Sequence, residues 1–151
     1  MRTFAILSGP NLNRLGRREP EIYGTATLAD LAKLLRAEGR RLGVRVRFFQ
    51  SNHEGALIDR IHAEADRGVA GFIVNFGAYT HTSIALFDAL KSVAPLPAVE
   101  VHLSDLRKRE AFRHHSYIQP ACLAQICGKG FAGYVEALEL LAARPAAASA
   151  R

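Results

Sequence analysis

The sequence predicts an α/β fold: one domain built on a five-stranded parallel sheet with helices on both faces. Three observations point there. Short apolar runs alternate with amphipathic stretches along the whole chain. Those runs lack polar–apolar alternation, as strands covered on both faces do. The chain has 151 residues, 49% of them hydrophobic and 23% charged, which is enough for one sizeable core.

The elements follow in order. Thr3 to Leu7 is an apolar first strand. After it, Gly9 to Gly24 (GPNLNRLGRREPEIYG) reads as a long loop without structure of its own. Such loops are uncommon in compact domains and are usually functional or disordered. Its Asn pair, Arg17, Arg18, Glu19 and Tyr23 favour function, in the form of a charged closing lid. Leu28, Leu31, Leu34, Leu35 and Leu42 fall at helical spacing, so a helix spans Thr27 to Leu42 and Gly43 stops it. Val44 to Phe49 is the second strand. In QSNHEG, Ser51, Asn52 and Glu54 are helix-start signals for a second helix from Glu54 to Arg67. Gly71 to Asn75 is the third strand, and the loop FGAYTHT leads to a third helix from Thr82 to Val93. Pro97 to Val101 is the fourth strand, followed by a polar segment from His102 to Pro120. Ala121 to Cys127 is the fifth strand and Gly130 to Ala142 the last helix.

Five strand–helix units at this length favour the flavodoxin-like order 2-1-3-4-5. No repeat or internal boundary is visible, so residues 1–143 form a single domain and 144–151 a frayed tail. No apolar run reaches membrane-spanning length, and the start breaks too early for a signal peptide, so a cytoplasmic location is expected. Cys122 and Cys127 match no metal spacing; their odd separation predicts opposite faces of the fifth strand and two buried free thiols.

The net charge is +6, which admits nucleic acid or an anionic substrate. The basic residues are spread, with Arg36, Arg40, Arg41, Arg45 and Arg47 around one helix and strand and Arg107 to Arg113 elsewhere. Aromatic residues do not interleave with them as stacking platforms would, which disfavours nucleic acid and leaves a small anion. His53, His62, His114 and His115 have no metal-ligand spacing and read as surface or supporting residues. Phosphate-loop, dinucleotide and Gly-x-Ser-x-Gly patterns are missing, so no cofactor is expected.

In open parallel sheets ligands bind beyond the carboxyl ends of the strands, at the switch between the first and third. The polar chemistry collects there: the first loop, Asn75 with GAYTHTS, and His102 with Ser104, Arg109 and Arg113 behind it. An isolated Tyr such as Tyr23 is commonly a packing residue. Free Tyr titrates near ~10, but a guanidinium such as that of Arg18 in the same loop favours the phenolate, which can remove a proton beside a carbonyl. Glu100 precedes His102 by two residues and so shares its face of the strand. A carboxylate there orients the imidazole for general-acid work, although both residues could equally be structural. Thr80, His81, Thr82 and Ser83 open the third helix, as hydroxyl caps or as groups facing a ligand hydroxyl or carboxylate. Asp88 shares a helix face with His81 but sits about 10.5 Å further along the axis. It is therefore either solvated or presented to a neighbouring subunit.

Together, GPNLN, GRREPEIYG, QSNHEG, GAYTHTS, EVHLS and FRHHSY, in this order and spacing, resemble the type II 3-dehydroquinate dehydratases of the shikimate and quinate pathways. The resemblance covers nearly the whole chain. It implies a flavodoxin-like subunit in trimers, four of which make a dodecamer, and a trans-dehydration of 3-dehydroquinate to 3-dehydroshikimate without metal or Schiff base. It implies Tyr23 as the base, Arg18 as the group that keeps Tyr23 ionised, and Asn11 as the holder of a water at the enolate oxygen. His102, supported by Glu100, protonates the departing hydroxyl. Asn75, His81, Arg113 and the backbone N–H groups of Leu103 and Ser104 bind substrate, Arg109 belongs to the lid, and Asp88 comes from the adjacent subunit. Phe76, Phe87, Asp105 and Arg107 depart from the family pattern. The competing readings are a non-catalytic ligand-binding domain, which needs neither Tyr23 nor His102, and a flavin carrier, which is yellow when purified.

Overall fold

The computed structural model describes residues 1–146, without the side chain of Tyr23. Five strands, β1 (Thr3–Ser8), β2 (Arg45–Gln50), β3 (Gly71–Asn75), β4 (Ala98–His102) and β5 (Ala124–Cys127), form one sheet in the order β2-β1-β3-β4-β5. Every neighbouring pair is parallel. Ser8 lies level with Gln50 on one side and with Asn75 on the other, which lines up the carboxyl ends of β2, β1 and β3.

The missing alternation has a direct cause. On β1, Phe4 and Ile6 face one layer while Ala5 and Leu7 face the other, and all four are buried. The first layer is built by α2 (Leu28–Leu42) and α5 (Phe131–Ala143), through Leu31, Leu35, Leu138 and Leu141. The second is built by α3 (Glu54–Asp66) and α4 (Ile84–Ser92), through Leu57, Ile61, Leu86 and Leu90. Each fully buried Leu stabilises the fold by about 1.5–3 kcal/mol. Helix α2 starts on a capping box: Thr27 Oγ1 accepts from the Asp30 N–H and the Asp30 carboxylate accepts from the Thr27 N–H. It ends at Gly43 in the left-handed conformation.

Part of the basic surplus is structural. Glu64, 1% exposed, is ringed by Arg47, Arg60 and Arg67 at 3.0, 3.2 and 3.3 Å. Arg36 and Arg60 lie over the rings of Phe48 and Phe49.

Several boundaries depart from expectation. The loop after β1 is not without structure: it holds a 3-10 turn at Leu12–Arg14 and the short helix α1 (Pro20–Tyr23). Leu12 and Leu15 are buried and anchor it to the body. The third helix begins at Ile84, capped by Ser83, rather than at Thr82, and Gly77–His81 is a 3-10 turn. His81 is therefore outside α4, and the helical spacing drawn between His81 and Asp88 does not apply. The fifth strand is short: a 3-10 turn at Gln119–Ala121, started by Pro120, delays it to Ala124. Cys122 thus lies outside the strand, so the opposite-face argument fails. Both cysteines are free but only partly buried; desolvation pushes their thiols up, to about 12 for Cys122 and about 11 for Cys127. Helix α3 is capped at His53 with no side-chain bond, so Ser51 and Asn52 do not cap it in the expected way. Ser51 instead accepts from the His53 N–H, and Asn52 is committed elsewhere. The tail expected over 144–151 lies outside the described residues from 147 onward.

Candidate active site

A cleft opens over the carboxyl ends of β1, β3 and β4. From the expected set it is lined by Asn11, Arg18, Asn75, His81, His102, Leu103, Ser104, Arg109 and Arg113, with Pro10, Leu12, Leu15, Gly77, Ala78 and Leu106 between them. The first loop, the turn after β3 and the segment after β4 each contribute, as the topology requires.

Its most rigid part is the end of β4. Glu100 and His102 are 1% and 5% exposed and share a face, and the His102 Nε2 is 2.7 Å from Glu100 Oε2. Two further groups hold the carboxylate. Gln125 Nε2 donates to Oε2 at 2.7 Å from the adjoining strand, where it is the register partner of Glu100. Ser116 Oγ donates to Oε1 at 2.8 Å and itself accepts from the N–H groups of Ile118 and Gln119. Burial alone would raise the Glu100 carboxyl. The bond to His102 and its charge, with Gln125 and Ser116, outweigh burial and hold Glu100 below the ordinary carboxylate range. With Nε2 engaged, Nδ1 is the His102 nitrogen not held by Glu100.

The ring of His81 stacks 6.4 Å from that of His102. Its Nδ1 donates to the His115 carbonyl at 2.7 Å, which leaves Nε2 of the neutral ring as an acceptor. Desolvation holds His81 below its ordinary value, helped by the charges of His102 and Arg113. Asn75 is fixed at both ends: its Oδ1 accepts from the Gly77 N–H, and its Nδ2 donates to the hydroxyl of Tyr134. Tyr134 is fully enclosed in α5, and desolvation pushes its phenol up to about 12.

Cations ring the mouth. Arg113 pairs with Glu110 at 2.7 Å, Arg109 donates to Ser104 Oγ at 3.1 Å, and Arg18 pairs with Glu19 at 3.2 Å. Glu110 is exposed, so its pairing with Arg113 is one that an anion in the cleft can compete with. Asn11 and Glu19, the non-glycine residues with left-handed backbone among those described, both lie in the β1 loop. Strain of this kind gathers at functional sites. Gly9 is required where that loop leaves β1, because a Cβ there would meet the Phe76 carbonyl oxygen.

Of the remaining expected site residues, Glu100 is not itself among the lining residues and meets the cleft through His102. Asp88 is exposed on α4 and does not line it. Tyr23 closes α1 in the loop that carries Arg18, and its side chain lies outside the described residues. Ser116, Gln125 and Tyr134, which hold Glu100 and Asn75, were not expected. A signal existed for Gln125, a lone amide in an apolar strand, but its partner is set by strand order. His53, His62, His114 and His115 are exposed, and no group of three or more His, Cys, Asp or Glu among the described residues is placed to hold a metal ion. Of the departures, Asp105 caps the turn that contains Arg107 by accepting from its N–H, and Phe76 is core.

A doubly wound sheet with an imidazole–carboxylate pair and a cationic mouth at its switch point defines an α/β domain suited to acid–base chemistry on a small anion. The sequence profile of the class II dehydroquinases matches residues 2–142. A 3-dehydroquinate dehydratase of Chelativorans is 55% identical over 143 residues, 95% of this chain and 98% of that one. One from Ruegeria pomeroyi is 55% identical over the full length of both chains. The crystal structure of the type II dehydroquinase of Butyrivibrio crossotus superposes with a TM-score of 0.91 at 42% identity, covering 93% of this chain and 97% of that one. The chain belongs to the class II dehydroquinase family.

Proposed function

We propose that this protein is a lyase that dehydrates 3-dehydroquinate to 3-dehydroshikimate through an enolate. The observation that carries the reading is His102, bonded to the buried Glu100, in the lining of a cleft that also holds Arg18, Arg109 and Arg113. In the proposed reaction the Tyr23 phenolate takes a proton from the carbon beside the ketone, and the electron pair moves onto the carbonyl oxygen. Arg18 favours the phenolate, and Asn11 holds a water at the enolate oxygen. The enolate then reforms the ketone as the C–O bond of the leaving hydroxyl breaks. His102 protonates that hydroxyl, so one water departs and a conjugated enone remains. Glu100 stabilises the imidazolium until it gives up its proton. Arg113, Asn75, His81 and the N–H groups of Leu103 and Ser104 hold the substrate's carboxylate and hydroxyls, with Arg109 in the closing segment.

The proposal includes a cytoplasmic enzyme and a dodecamer built as a tetramer of trimers, in which Asp88 reaches a neighbour's site. Its exposed position on α4, away from its own cleft, is compatible with that role. Among the described residues no helix is long and apolar enough to cross a membrane.

The test is ultraviolet absorbance of the enone formed from 3-dehydroquinate. Turnover that survives chelator and borohydride, in a sample that sediments as a trimer or larger, is the expected result. No enone, or activity lost to either reagent, would sink the mechanism.

A further inference from the structure

Asn11 is committed to the cleft in an unusual way. Its backbone is left-handed, at φ 69° and ψ −5°, at the head of the Leu12–Arg14 turn. Its side chain caps nothing in that turn, although Asn is well suited to do so. Within the loop the turn is closed by the Arg14 N–H on the Asn11 carbonyl, and the Asn11 N–H is held by a neighbouring loop. The Asn11 N–H donates to Oδ1 of Asn52 at 3.0 Å, across 41 positions of sequence. The same Oδ1 accepts from Gln50 Nε2 at 3.1 Å, and Gln50 also donates to the Gly9 carbonyl at 3.1 Å. The Asn52 carbonyl in turn accepts from the Tyr79 hydroxyl at 2.7 Å. Asn52 thus ties together the loops that follow β1, β2 and β3, and it stands outside the cleft lining.

From this we infer that Asn52 is a positioning residue for Asn11: its side-chain oxygen holds the Asn11 backbone in the left-handed turn that presents the Asn11 amide to the reacting oxygen. The inference rests on the dehydratase reading for its kinetic consequence, but the hydrogen bond itself does not. Both groups that meet Asn52 Oδ1 are donors, so an aspartate at this position can serve them and an alanine cannot.

The experiment compares Asn52→Ala, Asn52→Asp, Asn11→Ala and the Asn11→Ala/Asn52→Ala double variant. In Asn52→Ala, kcat falls by about 10–100-fold, as when a supporting contact of a reacting group is lost, while KM moves by less than about 3-fold. Asn52→Asp recovers most of that loss. In the Asn11→Ala background, Asn52→Ala has little further effect, because the group it positions is gone. A purely structural role would lower the melting temperature, leave kcat alone and give additive losses; any of additive losses, an unchanged kcat in folded Asn52→Ala, or no recovery by Asn52→Asp overturns the inference. Hydrogen exchange at the Asn11 amide supplies a readout without turnover. Asn52→Ala should strip its protection, and retained protection overturns the inference even if the wild-type protein fails to dehydrate 3-dehydroquinate, an outcome that counts against the functional reading alone.

Discussion

The end of β4 and the loop after β1 face each other across one cleft and are built on opposite principles. Glu100 and His102 are consecutive same-face residues of a central strand, both buried, with the carboxylate saturated by His102, Gln125 and Ser116. Nothing there has to move before it can act. The β1 loop carries Asn11 and Arg18 on mostly exposed chain that includes two non-glycine left-handed residues, Asn11 and Glu19, and short turns, anchored by Leu12, Leu15 and contacts from other loops. The difference teaches that the proposed acid is preorganised by the sheet, whereas the loop that carries Asn11 and Arg18 is held in place by contacts with other loops. Preorganised groups spend no reorganisation at the moment of reaction.

The contrast is sharpest if the two proton transfers are separated. Tyr23→Phe removes the proposed base and should lower kcat by about 10²–10⁴-fold or more, with substrate binding within about tenfold. It should also abolish deuterium incorporation beside the ketone of recovered 3-dehydroquinate, read by NMR. His102→Ala should lower kcat through the second step and leave part of that exchange intact. Wild-type exchange in Tyr23→Phe would mean that another residue is the base.

A smaller effect is expected from Glu100→Gln. The amide brings an N–H₂ group to a site whose other members are donors, so kcat should fall by about 10–100-fold. The pH dependence of stability tests the same contact. The folded-state carboxyl is held below its ordinary value of 4.5. Its ionised form therefore stabilises the fold fully above that value, and the contribution is lost as pH falls through the lowered one. Glu100→Gln should flatten acid unfolding in this window; an unchanged acid limb would show that Glu100 is not held ionised by its partners.

The smallest effect calibrates the loop. Thr27→Ala removes the capping box where the β1 loop joins α2 and should lower the melting temperature by about 2–4 °C, with little change in kcat. A large loss of kcat instead would mean that the loop's exit, and not only its contacts with Asn52, sets the geometry of the cleft.

The sequence by itself determined the sheet, its order and the edge of it at which the cleft opens. Strands such as Gly71–Asn75 are apolar at every position but the last because both faces are covered, and that pattern needs no partner to be read. The pairing of Glu100 with His102 was equally legible, since a two-residue spacing on a strand fixes a common face. What only the tertiary structure decided are contacts between residues far apart in the chain. Gln125 reaches Glu100 because β5 lies beside β4, Tyr134 reaches Asn75 from α5, and Asn52 gives up its local capping role to hold Asn11. Cys122 left its strand because Pro120 favours a turn where composition suggested extension. The physical reason is the same in each case. Periodicity reports which face of an element is buried, whereas a polar atom's partner is chosen from whatever the fold brings within hydrogen-bonding reach.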